Sequence, residues 1–220
     1  MDFAFTPPLI ASSELFFEGY RNTLLLSVGA MLGASAIGVV GASLRVWGGP
    51  ILSPIGGAYV EFFRNTPLLV QLSFFAVLFA PANLGISANP IVVGLIGLSI
   101  YTGSYVTEVI RSGILSVDPR QIEAARTLGL SQVQALRLVV LPQAIRTVIP
   151  PLGNLAIALV KNTAIVSAIA ATELLKVAGI IETRTASFDG FLAALVAYWT
   201  MTIPLAFLVD QAERRLGFSR

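Results

Sequence analysis

The side chains able to do chemistry are few, and most of them sit where they are least expected. The chain has no histidine and no cysteine among its 220 residues. Histidine is the commonest general base and metal ligand, and the cysteine thiolate is a common nucleophile and metal ligand, so catalysis or metal binding built on either residue is excluded. No bound metal and no catalytic residue is expected. What remains are isolated charges inside long apolar stretches: Glu61, Arg64, Glu108 and Lys161. An ionisable group at membrane depth is costly and normally faces a cavity or a partner. Glu61 and Arg64 stand three residues apart, a helical spacing that predicts a structural ion pair.

Two of these charges open polar clusters. Arg64 is followed by Asn65, Thr66 and Pro67, with Gln71 one turn further on. Pro67 has no N–H and disturbs a helix, and the carbonyls it frees must be buried or line a wet cavity. The second cluster is Lys161, Asn162 and Thr163. Two cations with amide and hydroxyl donors suit a solute that carries a carboxylate. Arg64, Asn65, Thr66, Pro67, Gln71, Asn154, Lys161, Asn162 and Thr163 are therefore candidates for a solute path or its gates. Arg64 and Lys161 fit a second role equally well, binding backbone carbonyls at helix breaks.

The elements that must hold these groups follow from composition. The chain is 55% hydrophobic and 12% charged, with a mean hydropathy of +0.82, against about 25% charge in an ordinary soluble domain. It reads as an all-α polytopic membrane protein forming one domain over residues 1–220. Runs of about 20 apolar residues predict five spans, at roughly 22–44, 55–80, 91–110, 147–171 and 190–209. Residues 1–21 are expected to form an interfacial segment or a partly ordered tail, since no basic residue precedes the apolar stretch and a cleavable signal is not indicated. Pro150 and Pro151 are expected to interrupt the fourth span and Pro204 to kink the fifth. Residues 173–189 read as a polar loop. The Gly29/Gly33 pair is a weak signal for a dimer face.

Basic residues orient the spans. Arg45, Arg111, Arg120, Arg126, Arg137, Arg146, Arg214, Arg215 and Arg220 fall on one side, against Arg21, Lys176 and Arg184 on the other. The richer side is expected to be cytoplasmic. That places the amino terminus outside and the carboxyl terminus inside. The polar interval 111–146 is then cytoplasmic, on a multi-pass inner-membrane protein.

That interval encodes a helical hairpin. Asp118 suits an N-cap, Pro119 the first helical position, and Gln121 the capping-box position. Gly129 is a good left-handed stop. Ser131 caps a second helix with Gln134 at its box position, and that helix is expected to end or kink near Pro142. Ala124 and Ala125 are small enough to admit another backbone, with Glu123 and Arg126 beside them. Local physics fits two readings: a lever gripped by a partner, or a solvated hairpin.

The spacing Glu123-Ala124-Ala125, Gly129, Val139 and Leu141-Pro142 resembles the EAA loop of ABC-importer permease subunits, with Val139 where the family has Ile. Glu61 to Leu72, Gly19 to Ser27 and Leu159 to Ser167 are similar to the polar amino-acid branch of that family, so the likeness runs over most of the chain. It implies the methionine-permease-type fold and a coupling role for Glu123, Ala124, Ala125, Gly129, Leu141 and Pro142. It also implies an ABC ATPase dimer as partner, a second permease copy or close homologue, and an extracytoplasmic solute-binding protein. Membrane lipid surrounds such a subunit, and no nucleic-acid partner is expected.

A phosphate-binding loop needs Gly-Lys followed by Ser or Thr. Lys161 precedes Asn162 and Lys176 precedes Val177. The chain therefore lacks that site, and ATP with magnesium is expected on the ATPase alone. Asn154 is followed by Leu155 where many members carry Glu, which argues against a cationic amino acid and favours glutamate, aspartate or glutamine. A permease for a basic amino acid or another small polar solute is the alternative. A stand-alone secondary transporter, a membrane enzyme and a non-transporting ATPase anchor are weaker readings.

Overall fold

The computed structural model describes residues 12–216, which fold as a string of helices. In chain order these are α1 (Ser13–Trp47), α2 (Gly49–Arg64), α3 (Leu68–Leu78), α4 (Pro90–Leu115), α5 (Pro119–Thr127), α6 (Gln132–Ala135), α7 (Leu141–Asn162), α8 (Leu174–Thr185) and α9 (Asp189–Arg215). A π turn, Leu136–Val140, joins α6 to α7, and a 3₁₀ segment, Thr163–Ile169, follows α7. Four stretches are long and apolar enough to cross a membrane: Ser13–Trp47, Pro90–Leu115, Gln132–Ile169 and Asp189–Arg215.

Glycine sets how closely α1 and α4 pack. Gly29, Gly33 and Gly38 face Leu95, Ser99 and Val106, and a methyl group on Gly38 would overlap the Val106 side chain. The Gly29/Gly33 face is thus filled by this chain's own α4 rather than left open for a second copy. Gly113 performs the same service lower on α4, against Val148 and the Ala144 carbonyl of α7. Between these crossings Leu26, Leu68, Leu72, Leu98, Leu159 and Val166 form one buried cluster. It draws α1, α3, α4, α7 and the 3₁₀ segment together.

Several expectations are corrected. Of the expected segment 1–21, residues 1–11 lie outside those described. Ser13 to Arg21 are the first turns of α1, because Leu15 and Phe16 find an apolar bed on Val177, Ile181 and Ala193 instead of a membrane surface. The stretch 55–80 is two helices, α2 and α3, parted at Asn65 to Pro67. The fourth stretch runs unbroken through Pro150 and Pro151, and changes character only at Thr163. There Thr163 and Ser167 donate to the carbonyls of Val160 and Ala164, both at 2.7 Å. These i−3 bonds compete with the α-helical ladder. Residues 174–185 are not a loop but α8, whose Leu174, Val177, Ala178 and Ile181 form a buried stripe. Pro204 is accommodated within a continuous α9.

Candidate functional site

The hairpin between α4 and α7 is assembled from local signals. Asp118 Oδ1 accepts from the Arg120 N–H at 2.9 Å and Pro119 starts α5. Gly129 stops it in the left-handed region, φ +87°, where a side chain is disfavoured by about 1 kcal/mol or more. Ser131 and Gln134 complete a reciprocal capping box at 3.3 and 2.8 Å. Gln121 does not close a box with Asp118. Its Oε1 accepts from Gln143 Nε2 at 2.6 Å and straps α5 to the first turn of α7.

The hairpin also does not end near Pro142. The ring of Pro142 would oppose the Leu138 carbonyl in a regular helix, and the π turn absorbs the conflict, so the second arm continues into α7. Both arms of the hairpin therefore lead directly into long apolar helices, α4 on one side and α7 on the other. A displacement of α5 has a short covalent route into the bundle.

The two alanines are not equivalent. Ala125 is buried and Ala124 exposed. Glu123 and Arg126 are exposed and make no ion pair among the described residues. Leu128 is 85% exposed and Val133 72%, with Leu138 and Leu141 also open. Several exposed apolar side chains on one short polar hairpin mark a partner site. The sequence motif singles out the alanines, and Leu128 and Val133 lie outside it. Their signal was an apolar residue on each side of the Gly129 stop, within a stretch too short to bury either.

Beside the hairpin, Glu108 of α4 takes both Arg45, from the end of α1, and Arg111, at 2.7 Å. The two cations on one carboxylate tie the end of α1 to α4. Glu61 and Arg64, expected as a pair, do not form one. Glu61 accepts from Asn65 Nδ2 at 2.8 Å, and the Arg64 guanidinium lies 5.2 Å from the centroid of the Tyr105 ring.

The break at Asn65 to Pro67 is held by Gln71. Its Nε2 lies 3.0 Å from the Phe63 and Thr66 carbonyls and 2.6 Å from Thr66 Oγ1, which itself donates to the Phe62 carbonyl. Gln71 is 5% exposed, and its Oε1 is buried with no partner among the described residues. Pro67 is extended, and no side chain caps the first turn of α3, so those N–H groups keep their donor character.

The second break lies across the same core, since Leu68 and Leu72 pack in one cluster with Leu159, Val166 and Ala171. Thr163 is fully buried and bonded to its own helix, and Asn162 is half-buried. Lys161 is exposed and makes no hydrogen bond or ion pair among the described residues. Asn154, also exposed, lies seven residues earlier on the same helix face. The candidates thus divide. Asn65, Thr66, Gln71 and Thr163 satisfy backbone carbonyls at the breaks, while Arg64, Asn154 and Lys161 are exposed and bond no backbone carbonyl among the described residues. Lys161 borders a cavity of about 430 Å³ together with Tyr198, Trp199 and Thr202.

One group escaped the sequence reading. Glu173 is fully buried and caps α8. It accepts from the Leu175 N–H at 2.9 Å, the Lys176 N–H at 2.7 Å and the Tyr198 hydroxyl at 2.8 Å. Burial pushes its carboxyl above the ordinary range, and the three donors oppose that shift. Asn22 and Thr23 of α1 secure the same corner through the Thr172 carbonyl and the Leu174 N–H.

Residues 23–218 match the family described as binding-protein-dependent transport system inner membrane component. The probable glutamine ABC transporter permease protein GlnM of Bacillus subtilis (strain 168) is 39% identical over 209 residues, covering 94% of this chain and 96% of that protein. The glutamine transport system permease protein GlnP of Escherichia coli (strain K12) is 32% identical over 203 residues, covering 92% and 93%. A solved amino acid ABC transporter with histidines superposes with a TM-score of 0.84 at 34% identity, over 94% of this chain and 96% of that one. The inward-facing MetNI methionine ABC transporter shares the fold, with a TM-score of 0.81 at 19% identity, over 98% and 100%.

Proposed function

We propose that this chain, which belongs to the family of binding-protein-dependent transport system inner membrane components, is the permease subunit of an ABC importer that carries a polar amino acid, glutamine foremost. Its family works with an ATPase and a binding protein. The observation that carries a receiving role for the hairpin is its geometry. A capped helix with an apolar crown is joined without slack to two long helices, on a subunit whose lysines do not form a phosphate-binding loop. ATP and magnesium belong on the ATPase dimer, and this chain supplies no catalytic residue. Closure of that dimer moves α5, and the movement enters the bundle through α4 and α7. The hairpin side faces the cytoplasm, in agreement with the excess of arginine there. The translocation path runs between two permease copies in the inner membrane.

The glutamine reading draws on the relatives named above and on the chemistry of the path. The uncapped first turn of α3 and the cation of Arg64 suit an α-carboxylate. The unpartnered Gln71 Oε1 suits a donor once the break opens. Asn154-Leu155 places no carboxylate for a cationic side chain. A cationic amino acid is the second reading, because one solved relative is with histidines.

The test is ATP-driven uptake of labelled glutamine by the complex of permease, ATPase and binding protein in proteoliposomes, with glutamate, aspartate, histidine and arginine as competitors. Uptake competed by glutamate or aspartate and not by arginine supports the reading. Uptake competed by arginine and histidine alone replaces it with the second. Uptake without ATP or ATPase overturns the importer assignment.

A further inference from the structure

Helices α1 and α2 meet at a tight turn through Gly48 and Gly49, and an open groove of about 410 Å³ lies between them. Ala36, Val40 and Leu44 line it from α1, and Ile55, Gly56 and Tyr59 from α2. Gly56 has no side chain to fill it, and a Cβ there would meet Arg45 Cγ. The Tyr59 hydroxyl is spent on the Ile100 carbonyl, to which it donates at 2.6 Å. The groove therefore presents no free side-chain donor, while Val40 and Ile55 are exposed. Such a surface suits a hydrocarbon chain.

The groove ends in charge. Arg45, the residue after Leu44, packs its stem on Gly56 and bonds Glu108. Arg111 bonds the other oxygen of the same carboxylate at 2.7 Å. Two guanidiniums on one carboxylate leave an excess of positive charge, and all three side chains are partly exposed. Trp47 at the end of α1 is exposed, as are Ile51 and Leu52 at the start of α2. An exposed indole in such company marks the membrane interface, at the level of the headgroups. From Arg45 back to Ala36 the helix rises about 14 Å, close to the hydrocarbon depth of one leaflet, about 15 Å.

We infer that this is a binding site for an anionic phospholipid on the hairpin side of the membrane. An acyl chain occupies the groove between α1 and α2, and the headgroup phosphate bonds the remaining donors of Arg45 and Arg111. The inference rests on the chain's place in the membrane and not on which solute it carries. Each guanidinium has five N–H donors, and Glu108 takes only part of each set. Basic pockets between membrane helices at the cytoplasmic side take anionic headgroups. The charge excess selects an anionic lipid over a zwitterionic one, and the groove selects a long-chain lipid over a soluble phosphate. The bound lipid joins α1, α2 and α4 at the end from which α4 leads into the hairpin.

The complex of permease and ATPase is stripped of lipid in detergent, and its melting is followed as phosphatidylglycerol or phosphatidylcholine is added in mixed micelles. A saturable rise in melting temperature is expected with phosphatidylglycerol, and with phosphatidylcholine only at several-fold higher concentration. Ala36→Trp fills the groove and Arg111→Gln removes one cation. Each should raise the half-saturating concentration of phosphatidylglycerol, Arg111→Gln by about fivefold. Leu25→Trp, at an exposed position elsewhere on α1, places the same ring outside the groove and leaves the titration unchanged. The lipid carries the test where a variant fails to assemble. Dihexanoyl phosphatidylglycerol keeps the headgroup with chains too short to fill the groove, and inorganic phosphate keeps only the anion. Neither should raise the melting temperature at the concentration where the long-chain lipid saturates.

Equal stabilisation by phosphatidylglycerol and phosphatidylcholine, or by phosphate alone, overturns the site. So does a phosphatidylglycerol titration that either Ala36→Trp or Arg111→Gln leaves unmoved. The chain has no cysteine, so Ala36→Cys with a short thiol crosslinker reads the rival occupant. Two permease copies joined through that position in the assembled complex would show that a second copy covers the groove, and would overturn the lipid site.

Discussion

Helices α5 and α8 are both started by an acidic cap, and the two caps stand in opposite surroundings. Asp118 is exposed and holds one N–H, that of Arg120, from its own first turn. Glu173 is fully buried and holds two N–H groups of its own helix and a hydroxyl from α9. The first cap can be lost to water with little consequence, because water takes over the freed donor. The second has no water to replace it. One device therefore serves a lever that must move and a corner that must hold. The hairpin is a local object mounted on the bundle, whereas the α8 corner belongs to three elements at once.

The largest effect is expected where the comparison is most lopsided. Glu173→Ala leaves two N–H groups and the Tyr198 hydroxyl without an acceptor, and each stranded buried group costs about 1–3 kcal/mol. The permease should melt well below the parent in detergent and yield little assembled complex. Glu173→Gln retains an acceptor oxygen and should recover most of the yield. Equal melting of Glu173→Ala and the parent would place the corner on the same footing as the surface cap.

Next comes Gly129, the stop between the two hairpin arms. A Cβ there meets nothing within 4 Å, so Gly129→Ala carries only the backbone penalty of the left-handed region, about 1 kcal/mol or more. Thermal stability of the whole subunit should change little, while substrate-stimulated ATPase activity falls, because the strain is delivered to the lever alone. A drop in melting temperature as large as that of Glu173→Ala would show that the hairpin is a structural part of the bundle.

Asp118→Ala is the milder form of the same experiment. Loss of an exposed N-cap costs about 1 kcal/mol, and Pro119 still sets the first turn. A small loss of coupling with normal assembly is expected, read as the ratio of ATP hydrolysed to solute carried. Asp118→Asn restores the cap and should restore the ratio. Failure of that rescue would mean that the charge of Asp118 matters, not its oxygen.

The same contrast explains what was legible in the sequence. Asp118, Pro119, Gly129 and the Ser131–Gln134 box act within four residues of themselves, and the structure keeps each where its chemistry put it. Pro67 marked the break in the second stretch, but the acceptors for Gln71 were invisible, because its three bonds depend on the turn already being folded. The Glu61–Arg64 pair failed for a related reason. Helical spacing allows the pair, but Tyr105 on α4 presents an aromatic face to Arg64 that no local rule contains. Helix α8 was readable from the spacing of Leu174, Val177, Ala178 and Ile181, and the charges at Lys176, Glu182 and Arg184 masked it. Glu173 itself was unreadable as a corner, since Tyr198 lies 25 residues away.

The smallest expected effect tests whether the hairpin is purely local. The Gln121–Gln143 bond is the one side-chain hydrogen bond among the described residues that ties α5 to the start of α7, and both residues are exposed. Gln143 Nε2 also donates to the Val139 carbonyl at 2.9 Å, within the π turn that accommodates Pro142. Gln143→Leu removes both bonds at a surface where water can take over, so assembly and melting should stay within about 0.5 kcal/mol of the parent. Coupling is the sensitive readout. With the strap cut, α5 keeps its packing on the π turn through buried Ala125 and its chain connection at Gly129, but loses the side-chain bond that fixes it to α7, and part of its displacement is spent in that looser joint. Solute-stimulated ATPase activity should fall modestly while basal hydrolysis stays level. Gln121→Leu should reproduce the loss, and the double substitution should add little, because both variants break the same bond. Additive losses would mean that the two glutamines act separately and that α5 is steered from α4 alone.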